Sequence, residues 1–289
     1  MHPLTRDFRG LMLALDRLNI VHRPMDGFVR TNQFGVYRLV DVQSNRYNRR
    51  EWRRLERQAW VFRLASLDTF TTAGSNTWTC PAGITSVQAE VWGAGGSSVS
   101  TSGAGRGGSG GGAYSLKTGI AVTPSSGYTA YVGNAVAATA GEDSYFVNSS
   151  TCMAKGGGSA TLTAGAAGGA AASGVGDTKY SGGNGGSGRS SGGGGGGGSS
   201  AGTGAAGVVG ADQVGGVGGA GGTAPSGGGN GGKGGNQTAG ASDAVNGSQP
   251  GGGGGGRGSG NTQSSAVGGV GKVVITYSYT TLPLIFFMG

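Results

Sequence analysis

Hydrophobic positions in residues 1–66 follow two rhythms. Leu4, Phe8, Leu11, Leu15 and Leu18 are spaced 4, 3, 4, 3, which lines them along one stripe of a helix in heptad register. The same spacing returns at Asn48, Trp52, Leu55, Ala59 and Phe62, with Arg49, Arg50, Arg53, Arg54 and Arg57 on the other faces. Between them, Gly27 to Val42 alternates and contains the breaker Thr31-Asn32-Gln33-Phe34-Gly35, which predicts a hairpin. Together these elements predict a small α+β unit. Each stripe has two uses that the spacing does not separate: packing on the unit's own core, or forming a seam against a second copy or a neighbouring protein. Leu4, Phe8, Leu11, Leu15, Leu18, Trp52, Leu55 and Phe62 are therefore the candidate anchoring and oligomer contacts.

From residue 67 the period shortens. Thr69 to Thr72 and Thr77 to Cys80 are β-like, with a predicted turn at Ala73-Gly74-Ser75-Asn76 and a second at Pro81-Ala82-Gly83. Ser86 to Trp92 alternates with period two, apolar at Val87, Ala89 and Val91. Ala113 to Val122, Tyr128 to Val132 and Lys272 to Tyr279 are further strand candidates, rich in Val, Ile, Thr and Tyr.

Between these strands the hydrophobic pattern dissolves into glycine. All but six of the 70 glycines in this 289-residue chain fall within residues 93–271. Glycine loses the most backbone entropy on folding and brings no side chain to bury, so no conventional core can be made there. Residues 215–223 are three GGX triplets, and residues 182–188 and 230–236 keep the period, while 192–198 and 251–256 are pure glycine. An extended helix with three residues per turn and no internal hydrogen bonds would place X on one edge. Such helices can pack only on one another, because each N–H and C=O needs a partner outside its own segment. Collagen is excluded, since no G-X-Y frame persists and residues 93–271 hold only three prolines. A flexible Gly/Ser linker is the alternative, and the bracketing strands argue against it.

Net charge is +8, and residues 1–68 carry most of it, with 13 arginines against seven acids. That basic unit suits an acidic partner; the glycine region is nearly neutral. Cys80 and Cys152 lie in apolar-flanked segments, which favours buried thiols over a disulfide framework. No secretory signal is visible at the N-terminus, and the apolar stretch 282–288 is far shorter than the roughly 20 residues that span a bilayer. No membrane span is expected.

Thr77-Trp78-Thr79-Cys80-Pro81-Ala82-Gly83, followed by Glu90-Val91-Trp92-Gly93-Ala94-Gly95-Gly96, resembles the opening of the glycine-rich domain of phage tail-fibre and receptor-binding (adhesin) proteins. Gly110-Gly111-Gly112-Ala113-Tyr114, Tyr131-Val132-Gly133, Gly141 to Phe146 and the closing Gly271-Lys272-Val273-Val274-Ile275-Thr276-Tyr277 are similar to later parts of that family. The resemblance spans about 69–279. It implies a polyglycine-II helix sandwich edged by β-strands over 67–279; with the small α+β unit read from the periodicity of 1–66 and an apolar tail (280–289), both outside the resemblance, the expected fold is mixed. It implies a bacteriophage virion protein, a tail fibre or adhesin that contacts the host-cell surface, anchored by its N-terminal unit. The partners implied are other phage structural proteins of tail or capsid, a bacterial surface receptor of protein or polysaccharide, and copies of the chain itself, as a trimer by analogy. A head fibre, cement or minor structural protein without a receptor role is the alternative.

Catalytic chemistry is absent from the pattern. Both histidines, His2 and His22, precede the glycine region, so that region has no imidazole for proton transfer and no zinc ligand set around its cysteines. Gly227 to Lys233 mimics a phosphate loop, but Gly234 stands where a magnesium-binding hydroxyl belongs. One Arg106-Gly107-Gly108 does not make an RNA-binding repeat. The expectation is no enzyme, no cofactor, no metal and no nucleic acid. In a packed glycine lattice only connecting loops vary freely. The candidate receptor contacts are therefore polar or aromatic breaks in the period: Asp177 and Tyr180, Asp212 and Gln213, and Asp243 to Asn246, with Tyr180 the leading residue.

Overall fold

The computed structural model describes residues 20–22, 28–31, 36–38, 63–99, 104–238, 243–260 and 266–280. Two units emerge: residues 1–67 with 276–289, and residues 68–275. In the first, Ile20–His22 (β1), Phe28–Thr31 (β2) and Val36–Arg38 (β3) form an antiparallel sheet in the order β1-β2-β3. The hairpin expected from the 27–42 alternation is the β2–β3 pair. The expectation of a mixed fold with an α+β N-terminal unit is overturned. No α-helix occurs among the described residues, only a 3-10 turn at Ala171–Ser173, and regular structure is nearly all antiparallel β. Leu4, Phe8, Leu11, Leu15, Leu18, Trp52, Leu55 and Phe62, with the two helices they suggested, lie outside the described residues, as does the tail 281–289.

The β-structure of the glycine-rich part begins with Arg63–Phe70 (β4), Gly74–Thr79 (β5), Ser86–Trp92 (β6), Tyr114–Ala121 (β7) and Gly127–Val132 (β8). Ser144–Phe146 (β9), Cys152–Ala154 (β10), Thr178–Tyr180 (β11) and Lys272–Thr280 (β12) complete it. One sheet has the order β10-β9-β8-β5, the other β11-β7-β6-β12-β4. The turn expected at 73–76 is instead the start of β5. Gly74 takes a left-handed φ of +99° there, and only Gly adopts it without strain.

Period-two burial explains the pairing. Val87, Ala89 and Val91 are buried from β6, while Trp78, Ala130, Val132 and Phe146 are buried from the other sheet. Trp78 meets Phe146 edge-on at 5.7 Å, and Tyr128 lies beside both. Strands β9 and β10 pack on β6, where the Cys152 thiol reaches the Ala89 carbonyl at 3.8 Å. A second cluster joins Trp92, Tyr114, Ala201 and Val274, with Leu116 and Tyr180 against it.

The strands then run directly into glycine. β6 continues as 93–99, residues 104–113 lead into β7, β11 continues as 181–188, and 266–271 lead into β12. Past each junction the period changes from two to three. In residues 192–202, Gly194, Gly197 and Ser200 donate backbone bonds to Gly235, Gly232 and Gly229. Gly195, Gly198 and Ala201 donate to Arg106, Ser109 and Gly112, and Gly196 and Ser199 donate to Ala211 and Val208. The same segment accepts from 181–188, 217–224 and 250–258, through bonds such as Gly186 to Gly196, Gly219 to Gly194 and Gly253 to Gly198. One chain thus has six chain neighbours, all held at N···O distances of 2.8–3.0 Å. A sheet strand has two.

Six neighbours leave no room for a side chain. A Cβ on Gly196 would come within 1.9 Å of the Ala220 carbonyl oxygen, and one on Gly108 within 1.9 Å of the Gly196 carbonyl oxygen. This separates the two glycine patterns of the sequence. The runs 192–202 and 251–258 are buried throughout. The GGX triplets lie outside them, and their X residues Val217, Ala220 and Thr223, or Asn230 and Lys233, face solvent.

Candidate binding surface

Chain connections lie at both ends of the lattice: those near 203–206, 225–228 and 249–251 are beside the strands, where Ala201 packs with Trp92 and Gln249 reaches Thr71 and Gly271, and a second group lies at the end remote from them. Gly105 donates to Ser190, Gln237 to Gly216, Gly260 to Gln237 and Ser259 to Gly192, which brings the connectors near 190, 215, 237 and 260 together. Val214 and Val217 are exposed there and bridge each other.

The residues expected to contact a receptor divide between the two ends. Asp177 and Tyr180 sit at the strand end. Residues 178–180 are not the expected loop but strand β11, paired with β7 at Leu116, Ser115 and Tyr114. Tyr180 is half-buried and stacks on Tyr114 at 6.2 Å, so it is a packing residue and not an exposed loop aromatic. Asp177 accepts from the Thr118 amide and hydroxyl, both at 2.8 Å, and its carboxyl is held below the usual carboxylate range chiefly by that amide bond. Lys117 adds an ion pair at 3.5 Å. Asp212, Gln213 and Asp243 lie toward the far end. Asp212 accepts from the Ser187 amide at 2.6 Å, and Gln213 donates its own amide to the Ser187 carbonyl at 2.9 Å. Asn246 accepts from the Val267 amide at 2.8 Å.

These contacts follow one rule. At the lattice rim a backbone N–H has no neighbouring carbonyl, and a side-chain oxygen takes its place. Asn184 serves Gly168, Asn236 serves Gly218 and Asn230 serves Ala224, at 2.8–2.9 Å. Inside, the Ser199 hydroxyl does the same for Val208 at 2.8 Å, and the Ser200 hydroxyl shares the Gly229 amide with the Pro250 carbonyl. The polar breaks in the glycine period therefore mark where the lattice needs a lateral acceptor.

A shallow, open depression lies elsewhere, on the solvent side of the four-stranded sheet, lined by Tyr131, Gly141, Glu142, Asp143, Tyr145 and Lys155. Tyr131 and Tyr145 face each other in the β8–β9 register, and their rings stack at 4.9 Å with planes 6° apart. The Tyr131 hydroxyl donates to Glu142 Oε2 at 2.8 Å, and the Asn134 amide donates to the same oxygen at 3.1 Å. Asp143 accepts from the Gly156 amide at 2.9 Å and from Lys155 Nζ at 3.1 Å. The bond to Glu142 raises the Tyr131 pKa above its ordinary value, with lesser help from burial. None of these residues is a candidate from sequence. The register that joins Tyr131 to Tyr145 is the missing signal.

Buried titratable groups sit apart from this surface. Cys80 and Cys152 are buried free thiols, and burial pushes both up, Cys152 to about 12. Tyr114 donates to Glu90 at 2.6 Å, and burial above all raises its pKa. Among the described residues no group of three or more His, Cys, Asp or Glu is placed to hold a metal ion.

The architecture defines a glycine lattice closed by antiparallel sheets. A family model described as a glycine-rich domain matches residues 71–278, and the chain belongs to that family. No curated protein matches the chain.

Proposed function

We propose that the chain is a structural and binding protein of a bacteriophage particle, a tail fibre or adhesin that acts in the virion and has no enzymatic role. Residues 1–66 attach it to other particle proteins and to its own copies, and the glycine-rich domain meets a bacterial surface receptor. The resemblance of residues 77–96 and 271–277 to such domains motivates this reading. The observation that carries it is the group of connectors near 190, 215, 237 and 260 that meet at the lattice end remote from the strands. There a rigid backbone scaffold presents short loops whose sequence is free to change.

A second reading, a head fibre or cement protein without a receptor, is favoured by a specific finding. Asp177, Asp212 and Asn246 each spend an oxygen on the fold's own amides, as plain connectors would. Gold-labelled antibody on whole particles, combined with an adsorption assay, tests the choice. Label at the tail tip, with adsorption blocked by purified protein, supports the adhesin. Label on the capsid with normal adsorption replaces it with the second reading, and absence of label from particles refutes both.

A further inference from the structure

We propose that the Tyr131–Tyr145 depression is a binding site for a neutral pyranose sugar, built from the stacked ring pair, the Glu142 and Asp143 carboxylates and the Lys155 ammonium. The core aromatics Trp78 and Phe146 belong to the opposite face of the same sheet, so the tyrosine pair is not part of that core. Both rings remain partly exposed beside charged groups. An aromatic ring that keeps one side wet suits a ligand with an apolar face and polar edges, and a pyranose presents C–H groups on its face and hydroxyls at its rim.

The polar groups match that rim. Tyr131 and Asn134 both address Glu142 Oε2, and no donor among the described residues reaches Oε1. Asp143 and Lys155 place a carboxylate and an ammonium side by side at 3.1 Å. A sugar hydroxyl donates to the one and accepts from the other, so adjacent hydroxyls complement such a pair. Two acids against one lysine disfavour anionic sugars, and the Lys155 ammonium paired with Asp143 opposes a second cation beside it, which points to neutral ones. The acids are also fixed before any ligand arrives. The Glu142 carbonyl accepts from Ala94 at 3.0 Å, Gly141 donates to Gly157 at 2.9 Å, and Gly156 grips Asp143, all from the lattice. Preorganised polar groups lower the entropic cost of binding. The open shape suits a single ring or a chain end. The inference stands independently of the particle reading.

The full chain, titrated with methyl glycosides of glucose, galactose, mannose and N-acetylglucosamine, is followed by saturation-transfer NMR and calorimetry. At least one glycoside should bind with a Kd of about 1 mM or tighter. Tyr145→Ala should abolish the signal, and Glu142→Gln should weaken it about tenfold, equivalent to about 1.4 kcal/mol. Lys233→Ala on the lattice exterior should change nothing. Melting temperatures control for folding, and if Tyr145→Ala melts early, the isosteric Glu142→Gln and Tyr131→Phe carry the test. No binding by any glycoside at about 10 mM, well above the expected Kd, overturns the proposal. So does unaltered binding by Glu142→Gln and Tyr131→Phe, or tighter binding of tetramethylammonium than of every glycoside. None of these outcomes bears on particle location or adsorption, which the labelling experiment decides alone.

Discussion

The four-stranded sheet and the glycine lattice are parts of one chain, yet they are stabilised by opposite means. The sheet is held by what its side chains fill: Trp78, Tyr128 and Phe146 occupy one face and exclude water. The lattice is held by what its residues lack. Gly194 to Gly198 bond to surrounding segments through backbone alone, and a single methyl group would strike a carbonyl. The same alanine substitution is a truncation in one region and an intrusion in the other.

Urea or thermal unfolding of six variants tests that contrast, from the largest expected effect to the smallest. Phe146→Ala empties a fully buried site and should cost about 3–5 kcal/mol. Gly196→Ala should cost about 3 kcal/mol, the upper end for overpacking, because the obstructing atom is backbone and cannot rotate away. Wild-type stability for that variant would break the contrast outright. Asp212→Ala removes the acceptor from the Ser187 amide and should cost about 1 kcal/mol, with Asp212→Asn nearly neutral. Gly204→Ala should reverse the sign. Nothing lies within 4 Å of the added methyl, so the variant gains about 0.5 kcal/mol by restricting the unfolded chain. Val217→Thr, at an exposed triplet position, should stay within about 0.5 kcal/mol. If it cost as much as Gly196→Ala, the division between inner and outer segments would be wrong.

The sequence makes parts of this structure legible because each has its own period. Alternation at Val87, Ala89 and Val91 marks β6, and the β-rich stretches 113–122, 128–132 and 272–279 mark β7, β8 and β12 closely. The three-residue period of 215–223 points to neighbours on more than one side. Strands β9 to β11 have three residues each, too few to display a period, so Tyr180 is misread as part of a loop. Asp212 and Asn246 are correctly seen as breaks in the pattern. A break alone does not reveal that each oxygen answers an amide from a distant segment. Tyr131 and Tyr145 become a pair only through strand register, which no local pattern encodes.

The way 192–202 bonds also governs how the domain must assemble. Apart from turns at its two ends, where Gly192 donates to Arg189 and Gly202 to Ala205, the segment bonds to other segments, with partners from Arg106 on one side of the sequence to Ser259 on the other. A segment without internal bonds has no intermediate stage of its own, unlike a helix that can flicker into existence before it docks. Its bonds to 106–112, 229–235 and 253–259 reward only the closure of long chain loops, which places the domain among slow, high-contact-order folders. The converse holds for the finished lattice. No inner segment can leave without breaking bonds to all its neighbours at once, so resistance to unfolding is expected to be a matter of rate as much as of equilibrium.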